Sequence, residues 1–133
     1  MEEATVTIEA EINPTESEDK VKRAIESMFG NVQTKVEPSY RGAKISVETK
    51  GSEALTKLYN LLRRERIRAA ARKVFLEGVD RTTISFCLNK QVAYAGHISF
   101  SREEAESPLG PIRVKIKSEN PRRLIDWLTS EIV

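Results

Sequence analysis

Six cationic side chains fall within twelve residues of this chain. They are Arg63, Arg64, Arg66, Arg68, Arg72 and Lys73, in the stretch LRRERIRAAARK that covers residues 62–73. Glu65 is the one acid among them. A guanidinium presents a fork of donors that matches phosphate oxygens, and clustered cations release counterions when they neutralise a polyanion. The chemistry suggested by this spacing is phosphate binding. The alternative is a solvated helix whose arginines pair with Glu65. The charge is local: the chain carries +2 overall, from 22 Lys and Arg against 20 Asp and Glu. Residues 1–61 hold eight basic and eleven acidic side chains, and residues 74–133 hold eight of each. The positive excess therefore comes from the twelve-residue stretch, and a local patch matters more for polyanion binding than the total.

Two further groups could bind. In NKQVAYAGHISF, residues 89–100, the side chains of Asn89, Gln91, Tyr94 and His97 could converge on a ligand, with Lys90 adding a cation. They could equally cap a turn and satisfy backbone groups. In the alternating segment at 112–117, Arg113, Lys115 and Lys117 share one face. They would line an RNA-binding sheet, or protect an edge strand, which lysine does well; edge protection is the simpler reading. RNA-binding sheets that stack bases need exposed aromatics. Phe86 is expected to point inward and no such motif is present.

Catalytic and metal spacings are sparse. The chain has one cysteine, Cys87, and one histidine, His97. No intrachain disulfide can form, and a structural zinc site would want about four such ligands. Cys87 could face His97 across a hairpin, with Ser99 on the face of His97, but a lone cysteine usually behaves as a small inert hydrophobe. Glu103, Glu104 and Glu106 could hold Mg²⁺, yet their segment reads as solvated linker. No phosphate-binding glycine loop is present. The expectation is a binding module with no catalytic residues, no metal and no cofactor. An enzyme using His97 and residues 89–97 is the more distant alternative.

These groups must be positioned by a fold. The chain has 133 residues and 39% of them are apolar, which suits a single domain over 1–133. Thr5 to Ile12 alternate strictly, as a half-buried strand does. Thr15 and Glu18 have capping-box spacing, and Val21, Ala24, Ile25, Met28 and Phe29 form one helical stripe. Strands are predicted at 32–36 and 44–49, and Ser52 suits a helix cap. The next helical stretch carries two stripes. Leu55, Leu58, Tyr59 and Leu62 make one, and Ile67, Ala70, Ala71 and Val74 make the other. They are out of phase by roughly 120°, so one straight helix cannot bury both. A break is expected at 63–66, with the cations wrapped around a corner and Glu65 paired to Arg68. Strands follow at 82–88, 97–100 and 112–116. A single helical turn capped by Asn89 and closed by Gly96, or a continuing strand, lies between the first two. A last helix is capped by Ser118 or Asn120, with Leu124, Trp127, Leu128 and Ile132 packing inward. The order is β-α-β-β-α-α-β-β-β-α. The class is α+β, a mainly antiparallel sheet with helices packed on one face.

Five stretches together resemble one uncharacterised archaeal family. They are INPTESEDKV (12–21), LLRRERIRAAARK (61–73), FCLNKQVAYAGHISF (86–100), ESPLGPIRVKI (106–116) and IDWL (125–128). The resemblance implies a fold similar to the large-subunit ribosomal protein that binds 5S ribosomal RNA, and a role in binding RNA. After residue 128 this chain reads TSEIV, where members of the family often continue into a polar tail. The side chains expected to meet nucleic acid are Arg63, Arg64, Arg66, Arg68, Arg72, Lys73, Lys90, Arg113 and Lys115. Structured RNA is the expected partner and a homodimer the alternative one. No apolar run is long enough to span a bilayer, and an acidic start is unlike a secretory signal, so a cytoplasmic protein is expected.

Overall fold

The structure is a computed structural model that describes residues 4–40, 42–50, 52–101 and 110–130. Among these residues the chain forms seven strands and five helices. In chain order they are β1 (Ala4–Ile12), α1 (Glu18–Phe29), β2 (Lys35–Ser39), β3 (Gly42–Lys50), α2 (Ser52–Arg64) and α3 (Arg68–Glu77). Then come β4 (Val79–Asp80), β5 (Thr83–Asn89), α4 (Lys90–Tyr94), β6 (Phe100–Ser101), β7 (Pro111–Ser118) and α5 (Pro121–Leu128).

All pairings are antiparallel, in the order β2-β3-β1-β7-β5-β4, with β6 also on β5. Alternation decides which face of the sheet is dry. On β1, Ala4, Val6, Ile8, Ala10 and Ile12 are buried and the residues between them are not. On β7, Ile112, Val114 and Ile116 are buried against partly or fully exposed Arg113, Lys115 and Lys117. The apolar stripes of α1, α2, α3 and α5 close over this dry face in one continuous cluster that includes Met28, Phe29, Leu58, Leu62, Phe75 and Leu128. Phe75, Phe86 and Phe100 pack ring against ring inside it, with centroids 4.8 to 6.0 Å apart.

The α+β class and the helical layer follow the sequence reading. Four details differ. The first helix begins at Glu18 with Ser17 as its cap, not at Thr15. The reason is local: the Glu16 N–H bonds Asn13 O at 2.8 Å, so 13–16 form a turn that delays the helix. The second strand lies at Lys35–Ser39, beyond the predicted 32–36, because it pairs with β3 across the turn near Gly42. Two residues after α3, Val79 and Asp80, add a short strand on β5. The predicted strand at 97–100 is reduced to Phe100 and Ser101. Ile132 and the three glutamates at 103, 104 and 106 lie outside the described residues.

Candidate nucleic-acid interface

The break at 63–66 is present, and its geometry explains the corner. α2 ends in the hydrogen-bond pattern of a Schellman motif: Ile67 N–H to Leu62 O at 3.1 Å and Arg66 N–H to Arg63 O at 3.1 Å. That motif needs a left-handed residue at its turn, usually glycine. Here it is Arg66, with φ of +57°. Leu62 is buried and Ile67 packs on the core, supplying the apolar contact that accompanies such ends. α3 then starts at Arg68, and the second stripe meets the core in a shifted form: Ala71 and Phe75 are buried, Ile67 and Val74 pack against the core, and Ala70 is exposed.

The fold divides the six cations into two groups. Arg63, Arg68 and Arg72 turn toward the last turn of α5. Arg63 lies over the Tyr59 ring at 3.3 Å, and Tyr59 stacks on Trp127. Its guanidinium donates to Tyr59 O (3.0 Å), Leu128 O (3.1 Å), Ser130 O (2.7 Å) and Ser130 Oγ (2.8 Å). Arg68 donates to the same Ser130 carbonyl at 2.7 Å. Arg72 pairs with Asp126 at 2.8 Å and reaches Thr129 Oγ1 at 3.3 Å. Arginines here complete the carbonyl end of a helix, where positive charge is favoured. The Arg72 hydrogen bond holds the Asp126 carboxyl below its ordinary range.

Arg64, Arg66 and Lys73 are exposed. Arg64 donates to Gly96 O at 3.0 Å. Glu65 does not pair with Arg68, as the spacing suggested. Its carboxylate takes His97 Nδ1 at 2.6 Å, and that contact keeps its pKa low. The single acid of the stretch thus meets His97 in the same 94–98 segment that Arg64 reaches, and the Arg64 charge also helps to hold its pKa low.

The 89–97 segment is a capped turn. Asn89 Oδ1 accepts Val92 N–H at 3.0 Å and Gly96 closes the turn at φ +81°. Gln91 and His97 are exposed, and Tyr94 is half-buried. The expectation that Lys90 meets nucleic acid does not survive: its side chain has no exposed area. The ammonium donates to Glu11 O at 2.6 Å and to Glu16 Oε1 at 3.1 Å. Glu16 is the hub of this network and was not singled out from the sequence. It also accepts from Asn13 N–H (3.0 Å), from Asn13 Nδ2 (2.6 Å) and from the Tyr94 hydroxyl. Burial pushes the Glu16 carboxyl up, but these hydrogen bonds outweigh it and the net shift is downward. Burial, then Glu16, raise the Tyr94 hydroxyl. The network fastens α4 to the β1–α1 turn. Asn89, Lys90 and Tyr94 are thus engaged by the fold.

Arg113 and Lys115 lie elsewhere, on the sheet face opposite the helices. The edge-protection reading fails for them, since β7 is an inner strand paired with β1 on one side and β5 on the other. The structure does not bring the nine expected cations onto one surface. Three cap α5, three stand exposed at and beyond the joint, one is buried, and two face the other way. His97 turns to Glu65, while Cys87 sits opposite Arg113 on β7 and Ser101 on β6. Among the described residues no cluster of three or more metal-ligating side chains forms, and no helix is long and apolar enough to cross a membrane.

Comparison with known proteins places this arrangement in a family. A family model described as RNA binding matches residues 5–118. A UPF0201 protein of Sulfurisphaera tokodaii is 44% identical over 124 residues, covering 93% of this chain and 86% of that protein. One from Pyrobaculum calidifontis is 42% identical over 119 residues, covering 89% and 83%. The crystal structure of a UPF0201 protein from Methanococcus jannaschii superposes with a TM-score of 0.81 at 32% identity, covering 94% of this chain and 98% of that one. The chain belongs to the UPF0201 family of archaeal proteins, whose matching family model is described as RNA binding.

Proposed function

We propose that the protein binds structured RNA through its phosphates, without reading bases, at the α2–α3 joint. The contacts are Arg64, Arg66 and Lys73. The observation that carries this reading is Arg66. A left-handed C′ position is most cheaply filled by glycine. This chain puts there an exposed cation with no hydrogen-bond or ion-pair partner among the described residues. A residue held in an unfavourable backbone region at a surface corner is a pointer to function. The role is binding, not catalysis.

The test removes charge and keeps the turn. Arg64→Gln, Arg66→Asn and Lys73→Gln are combined, asparagine being tolerant of positive φ. Arg63, Arg68 and Arg72 stay, so α5 keeps its cap. Retention of a labelled RNA hairpin on a filter should weaken by about tenfold or more, with an unchanged melting temperature. Unchanged affinity in the folded variant overturns the assignment of the joint.

A further inference from the structure

The geometry points to a second RNA surface on the sheet face that carries no helix among the described residues, one that takes the sugar–phosphate backbone of an RNA duplex. This rests on the RNA-binding reading above and extends it to a surface that the joint does not include.

β7 runs through the middle of that face. Arg113, Lys115 and Lys117 stand in a row on it, at steps of about 6.8 Å along the strand. The register fixes their neighbours. Lys117 lies between Thr5 on β1 and Thr83 on β5, and Lys115 lies between Thr7 and Ser85. Lys50 follows across Thr5, and Glu48 across Thr7. Lys115 and Lys117 are exposed and have no hydrogen-bond or ion-pair partner among the described residues. The acids of the face gather at its other end: Glu9, beside Arg113, also holds Lys44 at 3.4 Å, and Glu37 holds Lys35. The face is polarised. One end combines three lysines with hydroxyls, with Glu48 among them and Glu119 at the strand ends beside Lys50 and Lys117.

The surface is also shaped. A groove of about 690 Å³ opens in the gap between β4 and β6, lined in part by Ser85, Ser101, Arg113 and Lys115 and also by Val74 and Glu77 of α3. A hollow of about 310 Å³ at the strand ends is lined in part by Thr5, Lys50 and Lys117, with Glu119 as its acid. The cationic row therefore joins two concavities.

The chemistry selects the ligand. Among the described residues the outward positions of β1, β3, β5 and β7 include no aromatic, so these strands offer bases no platform to stack on. Lysines meet phosphates, and flanking hydroxyls can donate to or accept from ribose 2′-hydroxyls. That is how duplex RNA is recognised, by backbone and shape. A sequence-independent contact spanning two steps of β7 and the width of three strands fits a backbone segment, not a single phosphate.

The test combines Lys50→Gln, Lys115→Gln and Lys117→Gln in the full chain. Binding is measured to a 20-base-pair RNA duplex, the same duplex as DNA, and one RNA strand, across a salt series. The wild type should bind the RNA duplex in preference to the other two. The variant should lose about tenfold in affinity, and its slope of log affinity against log salt should fall by about two to three. If the wild type binds no RNA, both readings fall. If the wild type binds and the folded face variant matches it in affinity and slope, this surface is overturned while the joint stands. A face variant that converts a dimer to a monomer with RNA affinity intact gives the face to a second copy of the chain and overturns the inference.

Discussion

Replacing Lys90 by methionine should destabilise the protein severely, and the structure gives the scale. The Lys90 side chain is 0% exposed and that of Glu16 is 5% exposed, so the pair is taken out of water. The ammonium makes two close bonds, to Glu11 O at 2.6 Å and Glu16 Oε1 at 3.1 Å. Methionine has nearly the same length and fills the space, which isolates the loss of charge and hydrogen bonding from packing. Removing one partner of a buried pair costs about 3–5 kcal/mol, because the other charge and the carbonyl stay buried without it. At roughly 2.1 cal/mol/K per residue of unfolding entropy, that is a melting temperature lower by about 10–18 °C for a chain of this size. The assay is urea and thermal unfolding followed by far-ultraviolet circular dichroism. Adding Glu16→Gln to Lys90→Met should recover at least about 1 kcal/mol relative to the sum of the two single changes, since the uncompensated charge is removed. A Lys90→Met protein within about 1 kcal/mol of wild type, or strictly additive single changes, would refute the reasoning that this network anchors α4.

Acid should erase the contribution of Glu16. Its folded pKa lies below the ordinary 4.5, so its stabilisation is present above that pH and is lost as pH falls through the folded value. The stability gap between wild type and Glu16→Gln, measured by urea unfolding, should therefore narrow from pH 7 to pH 3; a constant gap would contradict it. At Arg66, the φ of +57° predicts that Arg66→Val costs about 1–2 kcal/mol while Arg66→Asn is close to neutral, as read by thermal melts. A Cβ on Gly78 would meet the carbonyl oxygen of Ser85 at 1.9 Å. Gly78→Ala must push β4 away from β5 and should lower stability by about 2 kcal/mol or more, with faster amide exchange at Ser85, whose N–H bonds Gly78 O.

Local patterns made much of the fold legible. The alternation of β1, the break between the two helices of 55–74 and the Asn89 cap each depend on neighbours within a few positions, and each appears in the structure, although the second stripe is buried at Ala71 and Phe75 with Ala70 exposed. What escaped depends on distant partners. Glu16 reads as a turn residue, and nothing near it announces that Lys90 and Tyr94 arrive from 74 and 78 positions away. Arg63, Arg68 and Arg72 look equivalent to Arg64 and Arg66 in sequence. Their roles part only because the end of α5, more than 50 residues later, meets one side of the corner. The central position of β7 was hidden for the same reason, since strand order is a property of pairing and not of composition. The short strands β4 and β6, two residues each, carry no period to detect.

The most direct measurement of the central claim is the salt dependence of binding between the wild-type protein and a labelled structured RNA. Phosphate recognition predicts that log affinity falls linearly with log salt, losing about 0.7–0.9 per phosphate neutralised, with Arg64, Arg66 and Lys73 at the joint contributing about two to three of the wild-type slope. No binding at low salt, or binding indifferent to salt, would contradict it.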